Sequence, residues 1–287
     1  MHLRRSFSAA FLAAAIAFAG IAPAAANSTA AVPTADSPAS SCRPASDAES
    51  DARLAELTDP AGVTTFDEAQ ERISALRTEL SNPEDLRGTF PIAFDNILDL
   101  VGPSIESGIY DDSEWATALA VEVVRLYLAG LHEYVTGGTP AAHWAAAFAL
   151  TEDCDRSPGR VLLGQIFAHL IIDFPHALVT IGTTPEHTHD FYTFGEALVD
   201  ATPAIATDFE ATYGVDLGPL FTGWFVGDVI GDKTTTTVMF QSVRTAALIN
   251  SFGLQNPATR DATLIEMDLL LRAANLSLDG MELAGLI

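Results

Sequence analysis

The chain has 287 residues, 48% of them hydrophobic, with 38 acidic side chains against 14 basic ones and a formal net charge of −24. That is enough apolar material for one domain with a substantial core. A surface this negative repels nucleic acid and anionic lipid headgroups, so nucleic-acid binding is excluded from the expected functions.

The chain opens with His2, Arg4 and Arg5, then an apolar run from Phe7 to Ile21, then the small residues Ala24, Ala25 and Ala26. This is the layout of a secretory signal peptide over residues 1–26, and it predicts export to the cell exterior or envelope. Its removal takes away Arg4 and Arg5 and no acid, which brings the charge to −26. Residues 27–51 are rich in Ala, Ser, Pro and Thr and hold almost no large apolar side chain. Such a stretch cannot bury enough surface to order itself, so it reads as a linker. An all-α domain is expected over residues 52–287. In an exported chain the two cysteines, Cys42 and Cys154, suggest a disulfide that staples the linker to the domain.

Thr65 and Glu68 form a capping box, and Phe66, Ala69, Ile73, Leu76 and Leu80 follow at steps of three and four. A second helix carries Phe90, Phe94, Ile97, Leu98, Val101 and Ile105, kinks at Gly102-Pro103 and ends at Gly108. Asp111 and Asp112 are N-cap candidates for a long helix through Val135, stopped by Gly137-Gly138. A short helix from Thr139-Pro140 carries His143, Trp144 and Phe148. The central helix, Arg160 to Gly182, is apolar on most sides and so predicts burial. After a polar connection, Asp190 to Thr212 is helical with a break at Pro203. An apolar segment with Phe221, Trp224 and Phe225 precedes the four threonines 234–237, where β-branching predicts a loose start to the next helix. Asn256-Pro257 opens a last helix through Ala274. No alternating strand pattern appears, so the fold class is all-α: about eight to nine helices around the central one.

Within that central helix Gln165, His169 and Asp173 recur every four residues, which places them on one face. His176 joins that face only if the helix passes Pro175, which favours a kink or an end. Burying a His and an Asp is costly unless they are paired or bound. His169 and Asp173 can ligate one metal ion, zinc or iron. His189 and Asp190, in the loop that follows, complete the expected ligand set if that loop folds back. His187 forms a His-x-His pair with His189. Gln165, His176, His187, Tyr127 and Trp144 are expected to surround the ion or line a pocket. His132 and His143 read as packing or surface histidines. The competing reading is a purely structural His–Asp pair. There is no Gly-x-Ser-x-Gly, Walker loop, Gly-x-Gly-x-x-Gly or Cys-x-x-Cys, which removes support for acyl-enzyme, nucleotide and dinucleotide chemistry.

Gly108-Ile-Tyr110-Asp-Asp112, Tyr127, Pro140-Ala-Ala-His-Trp144 and Leu162-Leu-Gly164-Gln-Ile-Phe-Ala168-His169-Leu-Ile-Ile-Asp173-Phe-Pro175 together resemble an uncharacterised bacterial family, domain-of-unknown-function family 5995. The likeness covers a core of about 87–200. Where the family motif has two asparagines beside its His, this chain has Phe167 and Ile171. The resemblance implies an all-α fold and a special role for His169 and Asp173, and it supplies no substrate. The His-x-x-x-Asp helix is also similar to zinc-binding helices of phospholipase C and single-strand nuclease families, by analogy alone. Two functions compete. One is metal-assisted hydrolysis of an ester or phosphoester. The other is non-catalytic: a helical protein that binds a small apolar ligand, or an envelope-associated structural protein.

Overall fold

A computed structural model describes residues 48–221 and 232–287. The expected signal peptide, most of the linker with Cys42, and Trp224 and Phe225 lie outside the described residues.

Helix α1, Ala48–Thr58, begins four residues before the expected domain start, with Glu49 and Asp51 in its first turn. Acidic side chains there complement the free N–H groups of a helix start. Helix α2, Phe66–Glu79, has the predicted capping box: Thr65 Oγ1 accepts from the Glu68 N–H, and Glu68 Oε2 accepts from the N–H groups of Thr64 and Thr65. Its Ala69, Ile73 and Leu76 are buried.

Helix α3, Thr89–Glu106, continues through Pro103 as one element, and Gly108 then turns the chain with φ 69°. That left-handed angle costs glycine nothing. Helix α4, Ser113–Val135, is capped by the Asp112 carboxylate, which accepts from the Trp115 N–H. Helix α5, Ala142–Ala149, starts two residues later than Pro140 suggested.

Helix α6 is the central one, Pro158–Thr180. Ser157 caps it and Pro158 occupies its first turn. It packs against α3, α4, α5 and the two C-terminal helices. By length and composition α6 could cross a membrane, but 78% of its most apolar window is buried inside the protein. It neither ends nor breaks at Pro175. A five-residue π turn, His169–Asp173, precedes that proline, so Pro175 falls in the first turn of the resumed α-helix. A first-turn residue needs no N–H donor, which is why proline is tolerated there.

Helix α7, Thr188–Tyr213, also runs through its proline, contrary to the expected break. Pro203 cannot donate to the carbonyl of Val199, and the Thr202 hydroxyl donates to that carbonyl instead. After a single-turn helix at Gly218–Phe221, α8 spans Asp232–Gln255. It is helical from before the four threonines, not loose there. The β-branched penalty is a few tenths of a kcal/mol per residue, small against the rest of a long packed helix. Helix α9, Arg260–Leu283, runs past the expected end at Ala274. Its last turns are held by tertiary bonds: Arg156 to Asp279 and Glu282, and Arg160 to Asp279 and Asn275. The result is an all-α domain of nine helices, one single α turn and four short 3-10 turns among the described residues.

Candidate functional site

The π turn at the middle of α6 coincides with the His-x-x-x-Asp motif. Its hydrogen bond runs from the Phe174 N–H to the His169 carbonyl, one residue longer than an α turn. π turns are energetically poor and recur at functional positions. Both motif residues are buried, His169 at 6% exposure and Asp173 at 5%.

Asp173 is the hub. His143 Nε2 lies 2.7 Å from its Oδ1, and the Trp144 indole N–H donates to its Oδ2 at 2.8 Å. His169 Nδ1 approaches Oδ2 to 3.5 Å without hydrogen-bond alignment and has no other partner among the described residues. Burial alone would raise the Asp173 pKa. The imidazoles of His143 and His169 outweigh it and hold the carboxyl below its ordinary value, so it stays ionised at neutral pH.

Two consecutive residues of α5 therefore reach one carboxylate on α6. Trp144 can do so because α4 offers Gly130 beneath it: a Cβ there would stand 2.5 Å from the indole. His143, read from sequence as a packing or surface residue, is the strongest partner of Asp173. The sequence signal for it is its place beside Trp144 in the Pro140-to-Trp144 segment.

The walls are aromatic. Phe90 and Phe94 lie 5.4 Å from the His169 ring, and Trp144 lies 6.4 Å away. Tyr127 packs on the same three rings at 4.8, 5.9 and 5.4 Å. Gln165 is fully buried and donates to Thr89 Oγ1 at 2.9 Å. His176 does not join the cluster: its Nδ1 bonds the Ile172 carbonyl of its own helix.

His187, His189 and Asp190 lie elsewhere, at the start of α4. Asp190 is buried, and its two carboxylate oxygens accept from the N–H groups of Asp111 and Asp112, each at 2.8 Å. Ligand atoms of Asp111, His189 and Asp190 all lie within 4.8 Å of one another, so these three could hold a cation. His187 stacks on Trp115 at 5.3 Å, and its Nδ1 accepts from the Thr184 N–H. The neutral ring then carries its proton on Nε2, 3.5 Å from Asp112.

The four expected ligands thus fall into two groups. Asp190 is tied to Asp112, at the head of α4. Asp173 is tied to Trp144, which rests on Gly130 of the same helix. At 1.5 Å per residue those α4 positions are about 27 Å apart. Asp190 and His189 are not brought to His169 and Asp173; His143 and Trp144 are.

Imidazole and carboxylate are donors that suit zinc or iron, and the indole N–H orients the Asp173 carboxylate from outside, but among the described residues it is Asp111, His189 and Asp190 that bring three ligand atoms within 4.8 Å of one another. A search of curated proteins and one of solved structures each returned no match. One family model does match, over residues 66–266, from the first residue of α2 into the first turns of α9, wider than the core of about 87–200 that the motifs covered. The chain belongs to that family, the family of unknown function DUF5995.

Proposed function

We propose that His143, His169 and Asp173 form a divalent-metal centre, zinc or iron, and that the protein is a metal-assisted hydrolase of an ester or phosphoester. The observation that carries this reading is His169 Nδ1, buried without a hydrogen-bond partner, 3.5 Å from a carboxylate already held by an imidazole and an indole. A cation would take the lone pair of His169 and replace the proton shared by His143 and Asp173. Such an ion would supply an activated water as the nucleophile near neutral pH. His143 is the edge of the cluster nearest solvent, with 14% of its side chain exposed. The acidic Asp111, His189 and Asp190 group is the rival cation site.

The protein acts outside the cytoplasm in this reading, given its signal-like start, with a Cys42–Cys154 bridge and no nucleic-acid partner. A second reading is non-catalytic. The packed rings of Phe90, Phe94, Tyr127 and Trp144 favour a cluster that only locks α5 to α6 over one that binds a small apolar ligand.

The test is metal content of the purified mature protein by elemental mass spectrometry, beside His143→Ala, His169→Ala and Asp173→Ala, with Asp111→Ala and His189→Ala as the comparison pair. Near-stoichiometric zinc or iron, lost in the first three variants and kept in the last two while helicity survives, supports the reading. Metal that follows Asp111 and His189 moves the site to the head of α4. A metal-free parent leaves the non-catalytic reading. A loaded parent is then assayed on aryl esters and phosphoesters.

A further inference from the structure

Among the described residues nine large hydrophobic side chains are exposed, and six of them lie between Leu264 and Leu286, on α9 and just past its end. A singly exposed leucine is ordinary, whereas a contiguous apolar strip marks an interaction surface. α9 packs on the protein through Thr263, Met267, Leu278 and Met281, all buried. Ile265, Leu269, Leu276 and Leu283 follow one another by four, seven and seven residues. At 3.6 residues per turn that spacing sets them along one line on the opposite side of the helix. Each is at least 60% exposed. A surface helix needs one apolar stripe, and α9 has two. The family match ends at residue 266, so most of the outer stripe lies past the matched segment.

Charge decides against a lipid surface. Helices that lie on membranes flank their apolar face with Lys and Arg. Here Asp261, Glu266 and Asp268 flank it, and Arg272 is the one basic residue on that side. The stripe is instead complementary to itself, as a two-fold contact requires: the same patch serves both copies, and residue i meets j while j meets i. With two α9 helices antiparallel about an axis between Arg272 and Ala273, Leu269 of each copy meets Leu276 of the other. Ile265 then meets Gly280, and Leu283 meets Ala262, each large residue opposite a small one. Gly280 is an open notch, since a Cβ there would meet nothing within 4 Å. The charges agree with this register. Arg272 Nε bonds Asp268 of its own helix at 2.9 Å. Asp268 of the other copy lies five residues along the axis, about 7.5 Å, against about 6 Å within the chain. Two arginines and two aspartates thus form a neutral group. A parallel pair would set Arg272 on Arg272. α9 has 24 residues, so it is about 36 Å long and about 10 Å across. One face of that size is roughly 350 Å² per copy, about half of the ~800 Å² per partner in a stable complex. That area suits a weak dimer that dissociates in the micromolar range or above.

We propose that the outer face of α9 is a self-association surface, an antiparallel two-fold contact between two copies of this chain through Leu269 and Leu276. It is independent of any cation at Asp173.

The test is sedimentation equilibrium of the purified mature protein in EDTA over a concentration series, for the parent, Leu269→Glu, Leu276→Lys and the double variant. Both positions are exposed, so the variants keep their helicity, which circular dichroism checks. The parent should dimerise as concentration rises, and more so at high salt, which screens the repulsion between two acidic copies. Each single variant should raise the dissociation constant about tenfold or more. The double variant opposes a carboxylate and an ammonium twice across the axis and should recover most of that loss. A parent that stays monomeric throughout overturns the proposal, whatever else covers the stripe. So does a dimer that either single variant leaves unchanged. Association lost in both single variants and not regained in the double variant overturns the antiparallel contact.

Discussion

Arg244 is fully buried with no carboxylate beside it among the described residues. Its guanidinium lies 4.3 Å from the Phe191 ring centre and 5.5 Å from that of Phe174, and it donates to the Phe191 carbonyl and to Gln241 Oε1. Ring faces and two acceptors compensate only part of the lost hydration, and burial pulls its pKa down to about 9. The space for it exists because residue 195 is glycine. A Cβ at that position would lie 1.6 Å from Arg244 Nη1. Gly195→Ala should therefore lower stability by about 1–3 kcal/mol, the usual cost of forcing extra volume into a packed interior, as measured by urea unfolding. A variant as stable as the parent would show that the guanidinium can move aside. Trp144→Phe is milder in volume but removes the N–H that Asp173 accepts. It should cost about 1–3 kcal/mol, because a buried charged acceptor loses a donor.

At the scale of elements, local devices hold individual helices, in α7 against the break its proline predicts. In α7 the device is a hydroxyl. Thr202→Val keeps the shape but returns the Val199 carbonyl to an unpaired state, and it should cost about 1 kcal/mol. Hydrogen exchange should show α7 loosening around Pro203; uniform protection would mean the hydroxyl is dispensable. In α2 the device is the capping box. The Thr64 hydroxyl and the backbone N–H groups of Thr64 and Thr65 lower the exposed Glu68 carboxyl from 4.5 to about 2. A depressed carboxylate pKa contributes stability that is present above 4.5 and is lost as pH falls from 4.5 towards 2. Glu68→Gln should flatten the fall of Tm across that window relative to the parent. Parallel curves would show that the box does not couple to folding.

At the scale of the molecule, the chain end is clamped to the start of the central helix. Arg160 is buried at α6 and donates to Asp279 and Asn275 of α9, while Arg156 and the Ser157 N–H hold Glu282. Asp279→Ala leaves a buried guanidinium with one fewer acceptor and should cost about 2 kcal/mol. Faster amide exchange in the last turns of α9 would locate that loss, whereas a global loss without local exchange would argue against a clamp.

Helix positions were legible because their determinants are local. The Thr65–Glu68 box, the Asp112 cap and the glycines at 108 and 137 act within a turn of themselves, and burial follows the spacing of apolar residues along each helix. The burial of α6 and the nearness of His169 to Asp173 belong to the same class, since both lie within one helix. The partners of Asp173 were not legible. His143 and Trp144 reach it only because α5 packs across Gly130, and Asp190 is drawn away to the N–H groups at the head of α4. Those are distances between different helices, and no periodicity within one helix carries them. The sequence by itself determined which residues form helices and which face each must bury. The tertiary structure decided which buried polar groups meet, because burial makes pairing compulsory without naming the partner.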